Sequence, residues 1–412
     1  MLAPNIEEVS RFGAFGYREF RLLWFGLVVS NTGSWMATLA QGWLVVELAP
    51  TPAAAPFYLG LVGFVRSIPV LLLSGLAGTI ADRFDRRKIL ILSQLVLVLC
   101  GLALAVLAQS HVARIWHVLL IAALSASAQS FDAPTRQSLV PLLVGKNDLM
   151  NAIGLNSAAF NGPAILGPAI GGVLVSAVGV AWCFYLNALS YVAVLIALAM
   201  MSPKPSIAAQ ARAGIMQEMR EGLRYVRNHA GVFAILFLSA LLAIIVRPYI
   251  QLLPAFVKTV MHGGPRTLGL MMAASGAGAL AGSIVTAMIG LQAKRGALLV
   301  ASGIGSGLSL SLFAVTHEIV LALAALVSLG IWVMLFMGMT NTLLQVHTPL
   351  AMRGRVMSLY TMVFLGFMPL GSWLLGSAAS LTSLPSTLAV AGILVVAASL
   401  AIRSQNTLPE LR

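Results

Sequence analysis

Two long apolar segments flank the stretch Gly78-Thr-Ile-Ala-Asp82-Arg83-Phe-Asp85-Arg86-Arg87-Lys88, in which six residues carry charge. A bilayer tolerates such a cluster only at its edge, because burying an ion in hydrocarbon is costly. The stretch, named here the charged turn, therefore marks a membrane boundary. It predicts that the segments before and after it cross the bilayer in opposite directions.

The composition extends this interpretation to the whole chain. Of 412 residues, 59% are hydrophobic and 9% are charged, whereas soluble domains carry about 25% charged residues. A membrane-spanning helix needs about 20 predominantly apolar residues, and the chain divides into twelve such runs, among them 20–48, 89–109 and 384–402. The predicted fold is an all-α integral membrane protein with twelve transmembrane helices.

The basic residues predict the orientation. Lys and Arg accumulate in short cytoplasmic loops, and here they alternate between a rich and a poor side. The rich side includes Arg18, Arg21, Arg83, Arg86, Arg87, Lys88, Arg136, Lys146, Arg220, Arg224, Arg227, Arg353, Arg355 and Arg403. Both termini are therefore expected to be cytoplasmic. Because the net charge of +13 is dispersed over loops, it indicates membrane orientation, and no nucleic-acid partner is predicted.

A long polar break predicts two halves: a six-helix bundle at 1–201, a linker at 202–231 and a second six-helix bundle at 232–412. Leu59-Gly60-Leu61 is echoed by Leu268-Gly269-Leu270 at the start of the corresponding span. Such internal symmetry is typical of transporters in which two bundles move around a central site. The two bundles are therefore expected to be pseudo-symmetric.

The linker contains apolar residues at helical spacing, namely Ile215, Met219, Leu223 and Val226, with charged residues between them. This pattern predicts an amphipathic helix on the cytoplasmic membrane surface. The alternative is a plain covalent linker in which the periodicity is incidental.

With these features in view, the chain resembles the major facilitator superfamily, whose loop between spans two and three follows Gly-x-x-x-Asp-Arg/Lys-x-Gly-Arg/Lys-Arg/Lys. The residues that match the pattern position by position are Gly78, Asp82, Arg83, Arg86 and Arg87, and Asp85 replaces the second glycine. The resemblance implies that the charged turn latches the cytoplasmic gate, with span eleven near Val356 as its partner. The alternative is that the basic residues only orient the protein.

A second resemblance bears on transport direction. Span five contains Gly162-Pro163-Ala-Ile-Leu-Gly167-Pro168-Ala-Ile-Gly171-Gly172, which is similar to the Gly-Pro-x-x-Gly-Gly element of the superfamily's antiporters. Gly167, Pro168, Gly171 and Gly172 are expected to form a bend that packs against Gly278 and Gly282 of span eight. The alternative is a packing helix without any bearing on direction.

The whole chain most resembles the third drug:proton antiporter group, which includes bacterial macrolide and enterobactin exporters. The resemblance rests on Phe20-Arg21-Leu-Leu-Trp24, on Trp35 with Gln41-Gly42-Trp43-Leu44, and on Phe131-Asp132-Ala-Pro-Thr-Arg136-Gln137. It implies proton coupling, for which the membrane-proximal acids Glu47 and Asp132 are the candidate residues.

Polar and ionisable residues within spans are functional candidates, because burying them is expensive. The candidates for a substrate cavity are Asn31, Trp35, Gln41, Arg66, Arg247 and Gln251. The two arginines would suit an anionic or strongly hydrogen-bonding substrate; alternatively, both extend toward the membrane interface.

The predicted function is alternating-access export of a small amphipathic drug or a siderophore-like solute by proton antiport. The expected location is the bacterial cytoplasmic membrane. An importer or lipid translocator of the same fold is one alternative, and a membrane sensor or scaffold that does not transport is another. No cofactor or metal site is expected, since no phosphate-binding loop or metal-ligand spacing is present. The sequence also shows no nucleophile and base arrangement, so an enzyme is not predicted.

Overall fold

The computed structural model describes residues 13–83, 85–201, 215–289 and 294–404, except for the side chains at 74–83, 138, 215–219, 351 and 365. Within these ranges the chain is almost entirely helical and contains no strand. The described α-helices are α1 (Arg18–Leu48), α2 (Ala55–Arg83), α3 (Arg86–Gln109), α4 (Ile115–Leu143), α5 (Leu149–Asn161), α6 (Pro163–Val178), α7 (Val180–Met200), α8 (Ile215–Asn228), α9 (Ala230–Leu241), α10 (Tyr249–Thr259), α11 (Pro265–Met288), α12 (Arg295–Val315), α13 (Ile319–His347), α14 (Leu350–Leu381) and α15 (Leu384–Ser404).

Short irregular helices join or interrupt several of these elements. Single 3₁₀ turns precede α1, α2 and α5 at Gly13–Gly16, Pro52–Ala54 and Lys146–Asp148. A π-helical segment, Leu242–Val246, lies between α9 and α10. Consequently α5 with α6, and α9 with α10, each form one interrupted span.

Ten helical segments in the described ranges are long and apolar enough to cross a membrane. Helices α1 and α4, with 31 and 29 residues, bring the number of long segments in this part of the chain to twelve. The predicted all-α membrane fold is confirmed. The charged turn has the predicted position, because α2 ends at Arg83 and α3 begins at Arg86.

The contacts divide the chain into two compact units. The first unit comprises Met1–Ala40 and Ile68–Ala211, and the second comprises Gln41–Ser67 and Arg212–Arg412. In the first unit α3 packs against α4 and α7; in the second, α11 packs against α13 and α12 packs against α13 and α15. By its contacts the segment Gln41–Ser67, which holds the end of α1 and the first part of α2, belongs to the second unit. The predicted bundles at 1–201 and 232–412 stay a prediction.

The packing of α11 depends on two glycines, Gly278 and Gly282, that lie against α13. A methyl group on Gly278 would collide with the carbonyl oxygen of Val327, and one on Gly282 would lie 2.6 Å from that of Ile331. At both positions the direction in which a Cβ atom would project is toward the backbone of α13. The predicted packing of these two glycines against span five stays a prediction, because small residues mark a close approach without naming the helix that approaches.

The linker forms the predicted helix, α8, and this helix packs against α14 within the second unit. A Cβ atom on Gly222 would lie 3.2 Å from the Arg355 Cβ, and the Glu221 carboxylate pairs with the Arg355 guanidinium at 2.6 Å. Val226 is buried, whereas Leu223 is 60% exposed. The side chains of Ile215 and Met219 lie outside the described residues, and membrane contact of α8 stays a prediction.

Candidate functional site

Asp85, the residue that departs from the superfamily pattern in the charged turn, caps α3. Its side chain accepts a hydrogen bond from the Arg87 backbone N–H at 2.9 Å, and its φ is −59°. A negative φ is open to any residue, so this position does not require glycine here. Aspartate instead satisfies one of the free N–H groups in the first turn of α3.

Arg87 joins this turn to the end of α7. Its Nη2 atom donates a hydrogen bond to the Ala199 carbonyl oxygen at 2.9 Å. A cation at a helix C-terminus is favourable because the last carbonyl groups lack partners within the helix. Arg86 is half-buried in the same turn. The side chains of Gly78, Asp82 and Arg83 lie outside the described residues, so the latch stays a prediction.

Gly162 and Pro163 interrupt span five, since α5 ends at Asn161 and α6 starts at Pro163. Proline has no N–H, so it cannot bond the carbonyl of Ala159 four residues earlier. The Asn31 Nδ2 atom of α1 donates to that oxygen at 2.9 Å instead. Asn31, a candidate for the substrate cavity in the sequence, therefore supplies the hydrogen bond that Pro163 cannot donate to the Ala159 carbonyl oxygen.

Replacing Asn31 by leucine should lower the free energy of unfolding by about 1–3 kcal/mol, because the buried Ala159 carbonyl loses its donor. In a Pro163→Ala background the new N–H can bond that carbonyl, so the loss should be smaller. Thermal unfolding in detergent of the unaltered protein, the two single variants and the double variant measures this coupling. Equal losses in both backgrounds would contradict the assignment, and the exposed Asn161→Leu serves as a control with an effect below about 0.5 kcal/mol.

The antiporter-type glycines pack against α1. Gly167, Pro168, Gly171 and Gly172 are all buried, and a methyl on Gly167 would lie 2.8 Å from the Thr32 carbonyl oxygen. It would also approach the Cβ atom of Trp35, so α6 covers one side of this half-buried tryptophan. Helix α6 continues through Pro168, and the interruption lies earlier, at Gly162. Whether these residues set the transport direction stays a prediction.

Arg247 follows directly after the π-helical segment in the second unit. Its backbone N–H donates to the Leu242 carbonyl at 3.0 Å, five residues back. Its guanidinium carbon lies 4.2 Å from the centroid of the Phe364 ring in α14, a cation–π contact. Within the described residues, its buried Nη1 atom has no hydrogen-bond partner.

Three further cavity candidates, Gln41, Arg66 and Gln251, belong to this unit and are half-buried. Gln251 donates a long hydrogen bond, 3.4 Å, to the Leu59 carbonyl oxygen of α2. Glu47, a candidate for proton coupling, is exposed and accepts a hydrogen bond from the Trp43 indole at 2.7 Å. The structure thus assigns Gln251 and Glu47 partners of their own.

The other proton-coupling candidate, Asp132, lies in a buried polar cluster of the first unit. Its carboxylate accepts a hydrogen bond from the Gln94 Nε2 at 2.8 Å and pairs with Arg136 at 3.3 Å. The Arg136 guanidinium stacks 4.8 Å from the Phe160 ring centroid. Gln94 and Asp132 are 2% and 5% exposed, and the Oε1 atom of Gln94 is buried without a partner in the described part of the chain.

Sequence reasoning identified Asp132 but missed Gln94 and the pairing role of Arg136. The spacing of Asp132 and Arg136, four residues apart on one helix, was an available signal for the ion pair. Gln94 lies on α3, and an uncharged glutamine in an apolar helix gives no indication of its partner. The described residues contain no group of three or more His, Cys, Asp or Glu side chains that could hold a metal ion.

Comparisons with known proteins agree with this architecture. The family model described as "Transmembrane secretion effector" matches residues 9–412. Macrolide efflux protein A of Streptococcus pyogenes is 23% identical to the chain, over 86% of this chain and 87% of that protein. The staphyloferrin A transporter of Staphylococcus aureus is 26% identical, over 88% and 89%.

The fold is similar to solved transporter structures, among them a nucleoside transporter with a TM-score of 0.75. That structure is 14% identical in sequence and covers 94% of this chain and 98% of its own, so the similarity concerns the fold. These relatives are transporters rather than enzymes, and they share the two-domain architecture. The chain therefore belongs to the transmembrane secretion effector family of the major facilitator superfamily and is a secondary transporter that spans the membrane many times.

Proposed function

We propose that the protein exports a small amphipathic drug or a siderophore-like solute by alternating access, in exchange for protons. Relatives named for macrolide efflux and staphyloferrin A transport support the substrate classes. The bacterial relatives also favour the cytoplasmic membrane, and the charge pattern favours cytoplasmic termini. In this proposal the charged turn acts as the cytoplasmic latch through Asp82.

The observation that carries proton coupling is the environment of Asp132. Of the acidic side chains that the structure describes, Asp132 and Asp148 are buried. Asp132 lies 17 residues into α4, about 25 Å from its first residue at 1.5 Å per residue. An ionisable group at such a position in a transporter is a functional candidate, because its burial is otherwise costly.

The partners of Asp132 suit both of its protonation states. The ionised carboxylate accepts the Gln94 N–H and pairs with Arg136. When the carboxyl is protonated, rotation of the Gln94 amide by about half a turn brings Oε1, now an unsatisfied acceptor, to the new O–H. Rotation of one amide thus provides a hydrogen-bond partner for either state, which a site that loads and releases a proton requires.

Purified protein in liposomes tests this proposal with labelled staphyloferrin A, the solute for which one relative is named. An imposed pH gradient should drive accumulation of this solute by the unaltered protein. Asp132→Asn should lose this accumulation but retain exchange of labelled for unlabelled solute, which needs no net proton movement. Asp148→Asn is the matched control, because Asp148 is a buried carboxylate that accepts a hydrogen bond from the Tyr17 hydroxyl at 3.0 Å; it should retain both activities.

Other results would contradict the proposal. Gradient-driven accumulation by Asp132→Asn would remove Asp132 as the coupling residue. Uptake without proton exchange would favour an importer or lipid translocator. A protein that is thermally stabilised by ligands and moves none of them would favour a sensor or scaffold.

A further inference from the structure

Arg247 occupies an unusual position for a cation. It lies 17 residues into the apolar segment Ala230–Thr259, about 25 Å from the start of that segment. Charged side chains at such depth normally pair with an acid or face a polar path. Among the described residues, none of the ion pairs includes Arg247, and its buried Nη1 atom has no hydrogen-bond acceptor. The guanidinium therefore has hydrogen-bonding capacity that its surroundings leave unused.

The Phe364 ring covers one face of the Arg247 guanidinium, while the Nη1 atom at its edge has no partner among the described residues. Phe364 covers the face at 4.2 Å, and the ring of Tyr360, one turn earlier on α14, lies 5.7 Å from that of Phe364. Both aromatic residues are less than a tenth exposed, whereas Arg247 as a whole is half-buried. The N–H groups of a guanidinium lie in its own plane, and a planar oxyanion binds them within that plane.

The backbone that carries Arg247 is held firmly. The π-helical turn Leu242–Val246 widens the helix directly before it, and such turns are frequent at functional sites. On α14, Gly371 has no side chain and so permits contact with the carbonyl of Ile244 inside this turn. Pro248 follows Arg247 and limits the backbone further. The cation is thus presented from a fixed position, which lowers the ordering cost of binding.

We propose that Arg247 binds a carboxylate or a similar oxyanion of the transported substrate, and that Phe364 and Tyr360 contact its apolar or aromatic part. This inference rests on the proposed export function and narrows its substrates to organic anions. A substrate with a fixed positive charge would be repelled by the uncompensated guanidinium. The same site therefore both selects anions and rejects cations.

The test compares two probes of the same ring system and nearly the same size, the anion 1-naphthoate and the neutral 1-naphthamide, bound to the purified full-length protein in detergent. Calorimetric titration should show at least about tenfold tighter binding of the naphthoate to the unaltered protein, the order expected for a charge-assisted hydrogen-bonded pair. Arg247→Met should lose this preference. Lys258→Met is the matched control, because Lys258 is a cation in the same span that lies over the Trp43 ring at 5.7 Å; it should keep the preference.

A second variant covers the case in which Arg247→Met does not fold. Phe364→Leu keeps the cation but removes the stacking surface, and it should weaken naphthoate binding several-fold while affecting naphthamide less. Equal binding of both probes to the unaltered protein, no binding of naphthoate, or a preference retained by Arg247→Met would overturn the proposal. The titration measures binding and needs no proton gradient, so it can succeed when the transport assay fails. Charge-selective binding together with an absence of proton-driven transport would contradict the proposed export function but would still support the anion site.

Discussion

Gly278→Ala should destabilise the second unit by about 2–3 kcal/mol, although alanine is the better helix former. The added methyl would collide with the Val327 carbonyl oxygen and would lie 2.8 Å and 2.9 Å from the Val327 carbonyl carbon and Cα. All three are backbone atoms, so no side-chain rotation relieves the collision. Helices α11 and α13 would have to separate, and the close packing that holds them in lipid would be lost.

Thermal unfolding in detergent measures this effect, and Gly154→Ala is the matched control. Gly154 lies within α5, and a Cβ atom there would meet nothing within 4 Å. The control should be stabilised by about 0.5–1 kcal/mol, since alanine restricts the unfolded chain more than glycine does. If both variants changed the free energy of unfolding in the same direction and by similar amounts, α11 and α13 would not be packed too closely to admit a methyl group at Gly278.

Arg136→Met should destabilise the first unit by about 3 kcal/mol, because it leaves the buried Asp132 carboxylate without its cation. Methionine is close to arginine in length and keeps most of the apolar contact with Phe160. Adding Asp132→Asn removes the stranded charge while keeping an acceptor for Gln94. The double variant should therefore be more stable than Arg136→Met alone.

A double-mutant cycle on unfolding free energies provides the measurement for this pair. The exposed Arg220→Met is the control for loss of a positive charge, and its effect should stay within about 0.5 kcal/mol. If Arg136→Met and the double variant were equally destabilised, the ion pair at 3.3 Å would contribute nothing beyond packing. The same double variant also serves the transport assay, because it removes the titratable group without stranding a charge.

Much of the fold could be predicted from hydrophobicity and charge. The span expected at 89–109 is α3, Arg86–Gln109, and it begins three residues earlier because Asp85 caps a first turn made of charged residues. The helix in the linker followed from its periodicity in the same way. These features are local, so the sequence around them contains the physical cause.

The contacts of the candidate residues could not be predicted in this way. Nothing near Asn31 indicates that it bonds Ala159, because the cause is the missing N–H of Pro163 more than a hundred residues later. Gln94 and Asp132 come from different helices, and their meeting depends on the rotation of α3 about its axis. Gly278 marked a close helix contact correctly but could not name α13 as the partner.

Asp85 has a consequence for recognising related chains. Its φ of −59° and its hydrogen bond to the Arg87 N–H show that Asp85 adopts an ordinary backbone angle and caps α3. A search pattern that insists on glycine at this position would pass over chains that make the same turn with aspartate. Asparagine, serine and threonine cap helices by the same hydrogen bond, so a pattern that accepts all four residues would retrieve a wider set of transporters without loosening the geometry.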